Sequence, residues 1–387
     1  MTEQELLPFQ FLAFKYRLML TKHQHKELDE ICESQRILYN AALQERIGCY
    51  QKTGKRRTYI DQCKALTELR QESEFSLLAV SLQRWTLKRL DDSFKGFFSR
   101  IKSGEKAGFP RFRGKNYWKT FGFTEFCGIS FDGSRVRFKG LGSAIKIHMT
   151  RPLQGEIKSC TFRRDIKGWY VCFQCAVPIA KIEGISKQVG IDVGITHLAT
   201  LSTGEHIPNI RVAKHHQAKL RRRQRALSRC KKGSNRRRKT RLNLARAHDK
   251  IFNIRKNYSH QVSSRLTKEY NIIIAEDLKI RNMVKNHCLA HSISDVAWGD
   301  FINKLTYKAA KAGGKVIKVN PRNTSQACSG CGQIVPKKLS ERIHSCDCGT
   351  ILDRDVNAAR VILSRGGIVP NKLNVSHQVE RVYRKIG

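Results

Sequence analysis

QVGIDVGITHLATLSTG, residues 188–204, decides the fold class of the C-terminal half of the chain. It opens as an apolar run carrying one carboxylate, Asp192, and a second strand returns through Leu198 to Leu201. Near-continuous apolar strands suit a sheet covered on both faces, so the segment reads as the opening hairpin of a mixed α/β sheet. NIIIAEDL (271–278) repeats the pattern as an apolar strand ending on Glu276. A helix from Trp298 to Ala312 then precedes a strand from Lys315 to Val319. ILDRDVNAARVI (351–362) brings a third acid, Asp355, with Asp353 two residues earlier as the competing position.

An ionised carboxylate in an apolar strand is costly unless a cation or hydrogen bonds compensate it. Taken singly, each acid also reads as a strand-end cap or an ion-pair partner in a basic protein. Together, Asp192, Glu276 and Asp355 converging at one sheet edge would hold two divalent ions about 3.5–4 Å apart, the arrangement that hydrolyses a phosphodiester. Oxygen-only ligation favours Mg2+, with Mn2+ as a substitute.

The chain has 13 cysteines, most of them scattered singly, as at Cys32, Cys63, Cys160 and Cys288, which is not a disulfide framework. The exceptions are Cys328-Ser-Gly-Cys331 and Cys346-Asp-Cys348-Gly, two pairs on glycine-containing turns with 14 residues between them. They match a four-cysteine structural site for one Zn2+. The one-residue spacer of the second pair is shorter than usual, and His344 is an alternative ligand. Cys172 and Cys175 share the C-x-x-C spacing, but residues three apart in a strand face opposite ways, so they read as ordinary strand residues.

Upstream, Phe9 to Leu20 reads as a strand, followed by a capping-box pattern at Thr21 and Gln24. Helical spacing then runs through Leu28, Ile31, Cys32, Leu38, Tyr39, Ala42 and Leu43, and again from Leu78 to Ile101, giving a helical unit over 21–105. KAGFPRFRGKNYWKTFGF (106–123) is a loop by its Gly, Pro and basic content. Strand signals broken at Asp132-Gly133 and around 165–168 predict a β-rich body over 106–180, completed by the N-terminal strand.

With 74 Lys and Arg against 32 Asp and Glu, the net charge is +42, far beyond what solubility needs. Such a charge wants a polyanion, and nucleic acid is the first candidate. A membrane surface is the weaker alternative, because no long apolar run or basic amphipathic helix is evident. The N-terminus, MTEQELLPFQ, has no secretory pattern, so the expected compartment is the cytosol. Between Arg211 and Arg246, 16 of 36 residues are Lys or Arg and none is acidic. Arg221, Arg222, Arg223, Arg225, Arg236, Arg237, Arg238 and Lys239 are therefore candidate phosphate contacts, against a solvated charged face as the alternative. Lys115, Tyr117, Trp118 and Lys119 are candidates for stacking on bases, with packing of the loop onto the core equally open.

GIDVG around Asp192, AEDL around Glu276, the cysteine pairs and DRDVNAA (353–359), in this order, resemble the RuvC-like nuclease with inserted zinc ribbon of the TnpB family. NPRNTSQ (320–326) and SDVAWGDF (294–301) are similar to that family too. The likeness is specific over 187–365, whereas the first 180 residues agree only in the order of elements. It implies an insertion-sequence protein, related to type V CRISPR effectors, that binds a guide RNA from the transposon end. Such a protein cleaves target double-stranded DNA beside a short adjacent motif. It also implies Asp192, Glu276 and Asp355 as catalytic acids, Asp355 because the family's acid directly precedes V-N-A-A. The implied fold is α+β and multidomain. A wedge β-barrel (1–20 and 106–184) carries a helical recognition insertion (21–105). An RNase H-like RuvC domain (185–325 and 350–387) encloses a zinc ribbon (326–349). A guided DNA-binding repressor and a transposase or recombination protein are the competing functions. The first would lack nuclease acids, and the second needs a strand-joining signature that the sequence does not display.

Overall fold

The computed structural model describes residues 9–71, 74–179, 187–338 and 341–367, and the chain divides into two compact units, Met1–Pro178 and Ile179–Gly387. The expected boundary at 184–185, residues 1–8 and the tail beyond 367 lie outside the described residues.

In the first unit, β1 (Phe9–Met19) buries Phe14, Tyr16 and Leu18 and exposes the alternate Lys15 and Arg17. Thr21 then starts α1 (Lys22–Thr53) with a complete capping box: Gln24 N donates to Thr21 Oγ1 at 3.2 Å and Thr21 N to Gln24 Oε1 at 3.1 Å. The sequence suggests two helical runs, but a third helix, α2 (Tyr59–Gln71), intervenes before α3 (Val80–Lys102). It packs on the core through the short stripe Tyr59, Cys63 and Leu66 and is further held by polar side chains. Gln62 donates to the Ala42 carbonyl at 2.8 Å and accepts from Arg46 Nε at 2.8 Å.

Six more strands follow: β2 (Thr120–Phe123), β3 (Ile129–Phe131), β4 (Arg135–Phe138), β5 (Ile145–His148), β6 (Glu156–Asp165) and β7 (Gly168–Pro178). They form one antiparallel sheet in the order β2-β6-β7-β1-β5-β4-β3, with the N-terminal strand at its centre. Phe123 of β2 meets Phe138 of β4 at 5.2 Å between ring centres, although the two strands stand far apart in that order. The sheet therefore curls around an aromatic core. The helical insertion leans on β2 at Gly122, where a Cβ would come within 2.9 Å of the Trp85 indole nitrogen.

The second unit is a five-stranded mixed sheet, β10-β9-β8-β11-β12. Its strands are β8 (Gln188–Asp192), β9 (His197–Leu201), β10 (His206–Pro208), β11 (Ile272–Glu276) and β12 (Lys315–Val319). β8, β11 and β12 run parallel, while β9 is antiparallel to both its neighbours. The basic helices α4 (Val212–Ser228) and α5 (Asn235–Glu269) form a hairpin between β10 and β11. Then α6 (Ile280–Met283), α7 (His287–Val296) and α8 (Trp298–Lys311) lead to β12. The small hairpin of β13 (Ile343–Ser345) and β14 (Ile351–Asp353) runs straight into α9 (Arg354–Arg365).

One face of this sheet packs Val189, Ile191, Ile273 and Ala275 against Val262 and Leu266 of α5 and Phe301 and Leu305 of α8. On the other, Ile274 packs with Ile362 of α9. Both faces are covered, which is why β8 and β11 read as continuous apolar runs. No helix among the described residues is long and apolar enough to cross a membrane.

At Gly190 a Cβ would lie 2.1 Å from the Ala359 carbonyl oxygen and 2.7 Å from the Leu363 nitrogen, both backbone atoms of α9. Gly190→Val should destabilise the protein by about 3 kcal/mol or more in urea unfolding, because neither neighbour can yield. Gly48→Ala, in α1 where nothing lies within 4 Å of the added carbon, should be neutral or stabilising. Equal effects of the two changes would contradict this packing.

Candidate active site and metal centre

Strand periodicity and register together assemble the acids. Ile191 of β8 stands beside Ala275 of β11 in a parallel pair, so the next residues, Asp192 and Glu276, end adjacent strands side by side. Their backbones are about 5 Å apart, the ordinary inter-strand spacing. Because Val189, Ile191, Ile273 and Ala275 face α5 and α8, the alternate positions Gly190, Asp192, Ile274 and Glu276 face α9. Asp355 lies in the first turn of α9.

The charges interact. Burial, then the neighbouring charges of Glu276 and Asp355, push Asp192 well above the usual carboxylate range. Burial also raises Glu276, against the opposing pull of a hydrogen bond from the Thr324 hydroxyl and of the Arg365 guanidinium. Asp353 is otherwise engaged: its Oδ1 caps α9, accepting from Asp355 N at 2.9 Å and Val356 N at 3.1 Å. Asp355 instead forms an ion pair with Arg354 Nε at 3.6 Å. Among the described residues only the four cysteines bring three or more ligand atoms all within 4.8 Å of one another, so the three acids do not form so tight a group. An all-oxygen donor set of this kind fits hard divalent cations.

The sequence reading overlooks Thr324 and Arg365. Thr324 is buried, and Arg365 donates to the carbonyls of Asn320 (2.8 Å) and Arg322 (2.7 Å), holding the loop that carries it. The only prior signal is the NPRNTSQ stretch as a whole. SDVAWGDF likewise acquires a physical reason. Both carboxylate oxygens of Asp295 accept from Ala213 N at 3.1 Å, capping basic helix α4, and Trp298 Nε1 donates to the Gly194 carbonyl at 3.1 Å just past Asp192.

The four thiols form the second centre. Cys328 and Cys348 Sγ are 3.6 Å apart, as are Cys331 and Cys346 Sγ. Tetrahedral zinc with Zn–S near 2.3 Å separates its sulfurs by about 3.8 Å, so the group fits that ion. The short Cys346–Cys348 spacer is no obstacle, because Gly349 turns the chain at φ 83°. His344, the alternative ligand, stands outside the group, fully buried beside Lys337.

The candidate nucleic-acid residues divide by burial. Arg221, Arg222, Arg225, Arg236, Arg238 and Lys239 are exposed, whereas Arg223 and Arg237 are half-buried within the helical hairpin. Arg237 donates to the Leu227 and Cys230 carbonyls, both at 3.0 Å, and Arg223 to that of Asn243. In the loop, Lys115, Tyr117 and Lys119 are exposed, but Trp118 is not a stacking platform. It is 4% exposed, 5.0 Å from Tyr39 between ring centres and beneath Arg89, so it anchors the loop to the core.

Purified protein should carry one zinc per chain, measured by elemental analysis. Cys331→Ser should lower both zinc content and melting temperature, since metal affinity becomes folding energy. A zinc-free wild type of unchanged stability would refute the centre. Asp192 makes a separate prediction. Its folded-state pKa is raised well above that of an ordinary aspartate, so stability falls as pH rises from the ordinary carboxylate range toward the folded value. In EDTA, Asp192→Asn should therefore stabilise the protein at pH near 7, the gain vanishing as pH falls below the ordinary carboxylate range. A gain independent of pH would contradict the electrostatic account.

The sequence matches three family descriptions: "Probable transposase" (OrfB of IS605) over 173–287, "Cas12f1-like, TNB domain" over 298–362 and "Helix-turn-helix domain" (OrfB of IS605) over 11–55. In the last region the structure has a strand and one 32-residue helix. A Streptomyces pristinaespiralis protein named "Putative RNA-guided DNA endonuclease" is 34% identical, the match covering 92% of this chain and 89% of the relative. Escherichia coli InsQ, of the same description, is 31% identical over 92% of each chain. The Cas12f1 chain of a complex with sgRNA and target DNA superposes with a TM-score of 0.59 at 14% identity, covering 89% of this chain and 83% of that one. Identity at this level over nearly the whole of two relatives places the chain in the TnpB family, the OrfB proteins of IS605.

Proposed function

We propose that this protein is an RNA-guided DNA endonuclease whose cutting site is of the RuvC, RNase H-like type, with Asp192, Glu276 and Asp355 as its catalytic acids. The observation that carries the reading is the adjacency of Asp192 and Glu276 on parallel strands, with Asp355 close enough to help raise Asp192. Partly buried carboxylates on adjacent strands, raised by one another's charge as Asp192 is, suit a binding site for cations. Mg2+, or Mn2+ in its place, would activate water and offset charge on the leaving oxygen of a DNA phosphodiester. The chain's own groups set the site up: Thr324 fixes the Glu276 carboxylate, Asp353 fixes the start of α9, and Arg354 and Arg365 stand near the developing phosphate charge.

The remaining parts fall into place around this reading. The curled sheet of the first unit serves as the wedge barrel, with helices α1 to α3 as its recognition insertion. The second unit is the nuclease, interrupted by a zinc ribbon at 326–349. Relatives described as RNA-guided support a guide RNA and target DNA as partners, and the net charge of +42 supplies the attraction to both backbones. Base pairing reads the sequence, so the protein needs chiefly a positive channel.

Protein carrying its co-purified RNA should cut a plasmid library only with a divalent cation present. Asp192→Ala and Asp355→Ala should abolish cutting. Asp353→Ala should still cut after losing about 1 kcal/mol of stability with its helix cap. Cutting by Asp192→Ala at the wild-type rate would refute the catalytic assignment. A preparation free of RNA at moderate salt would refute the guided one.

A further inference from the structure

We propose that the α4–α5 hairpin contains a seat for a nucleic-acid backbone phosphate, built by His216, Lys219 and Arg223 of α4 with Arg246 and Lys250 of α5. This deepens the RNA-guided reading, on which the identity of the polymer rests. The five side chains line a cleft of about 220 Å3 between the two helices, and no carboxylate lines it. Positions 216, 219 and 223 recur on one face of α4, and 246 and 250 on one face of α5, so the hairpin turns two cationic faces toward each other.

Such convergence is unfavourable by itself. Like charges brought together repel, and more strongly beside a low-dielectric surface than in open water. Here the floor is apolar, with Ala247 and Ile251 both buried. Among the described residues no ion pair neutralises Lys219, Arg223, Arg246 or Lys250, and an anion in the cleft would relieve all of them together. Two of the groups are already held in place: Arg223 donates to the Asn243 carbonyl across the hairpin, and His216 Nδ1 lies 3.1 Å from the Val212 carbonyl. Donors fixed before binding lose little freedom on meeting a ligand. Arginine and lysine together suit the oxygens of a phosphodiester. The exposed arginines Arg221, Arg222, Arg225, Arg236 and Arg238 are outside the lining and add only a general field.

The test compares two variants of equal charge change in the full chain, stripped of nucleic acid by high salt. Lys219→Ala/Arg246→Ala empties the seat, and Arg222→Ala/Arg238→Ala removes exposed charge from the same hairpin. Both are checked for unchanged circular dichroism. Each is titrated with a labelled 20-nucleotide RNA and a matching DNA duplex over a salt series, and tripolyphosphate is tested for thermal stabilisation. The seat variant should bind at least one polymer about tenfold more weakly than the control variant. It should lose about 0.7 from the logarithmic salt slope for single-stranded RNA, or about 0.9 for duplex DNA. The polymer showing that loss is the source of the phosphate, and tripolyphosphate should stabilise wild type but not the seat variant. Equal losses in both variants overturn the seat and leave guided cutting untouched. Stabilisation by tripolyphosphate with no binding of either polymer overturns the assignment to a nucleic-acid backbone. RNA missing from the original preparation refutes the guided reading alone, because the seat is still scored on the duplex.

Discussion

At Gly190 the backbone of β8 lies against the backbone of α9 with no side chain between them, and at the far end of the helix Gly366 makes a similar approach to Ile274 of β11. A methyl at Gly366 would stand 2.6 Å from Ile274 Cγ1. The helix is thus pinned across the two strands that end in Asp192 and Glu276. Gly190 is further fixed by its own polar groups: its nitrogen donates to Ser202 Oγ at 3.1 Å, and its carbonyl accepts from Ser202 N at 2.9 Å. Once strand register sets the two acids side by side, this glycine contact determines where the first turn of α9, and Asp355 with it, must lie.

The electrostatic arrangement follows from that constraint. Positive charge is spread over exposed helix faces, whereas Asp192 sits at a partly buried edge where the charges of Glu276 and Asp355 add to burial in disfavouring its ionisation. Nothing in the site neutralises Asp192 strongly, and the groups that moderate Glu276 act through a chain of support. Arg365 holds the carbonyls of Asn320 and Arg322, that loop presents Thr324, and Thr324 holds the carboxylate. Asn323, immediately before Thr324, adopts the left-handed conformation at φ 58°, which asparagine tolerates better than most residues. The loop geometry is therefore built for the hydroxyl's position.

Local signals were legible in the sequence. The Thr21–Gln24 capping box, the Asp132-Gly133 turn and the apolar runs of β8 and β11 each depend on neighbours within a few residues. The adjacency of Asp192 and Glu276 was foreshadowed because a carboxylate at the end of an apolar strand conflicts with its surroundings, and such conflicts mark candidate sites. What escaped depends on distant partners. Helix α2 buries only the short stripe Tyr59, Cys63 and Leu66, with Gln62 and Arg46 hydrogen bonds completing its attachment. Trp118 looks like an exposed aromatic in a basic loop until Tyr39 and Arg89 are known to enclose it. Thr324 is an unremarked hydroxyl until it is seen 48 residues from the glutamate it serves. Among the basic residues, sequence density picks out the runs at 221–225 and 236–239, of which all but Arg223 and Arg237 are exposed. The convergence of Lys219 and Arg246 depends on how two helices are rolled against each other, which no charge count records.

The four-thiol centre bears on the same helix. Asn357, fully buried on α9, accepts from Ser329 N at 2.9 Å and donates to the Ala327 carbonyl at 2.7 Å, gripping the chain at the first cysteine pair. From the other side, β14 continues directly into α9, and Arg354 N donates to the Arg342 carbonyl at 2.8 Å. The cysteine hairpin thus clamps the start of α9 from two directions, one turn from Asp355. This small β-hairpin has little apolar core of its own, so a bound metal would supply most of its rigidity. The thiol centre would then act on the site by fixing the first turn of α9, while Gly190 fixes its middle. Asp355 needs both restraints, because a helix anchored at one point alone remains free to pivot its acid away from Asp192.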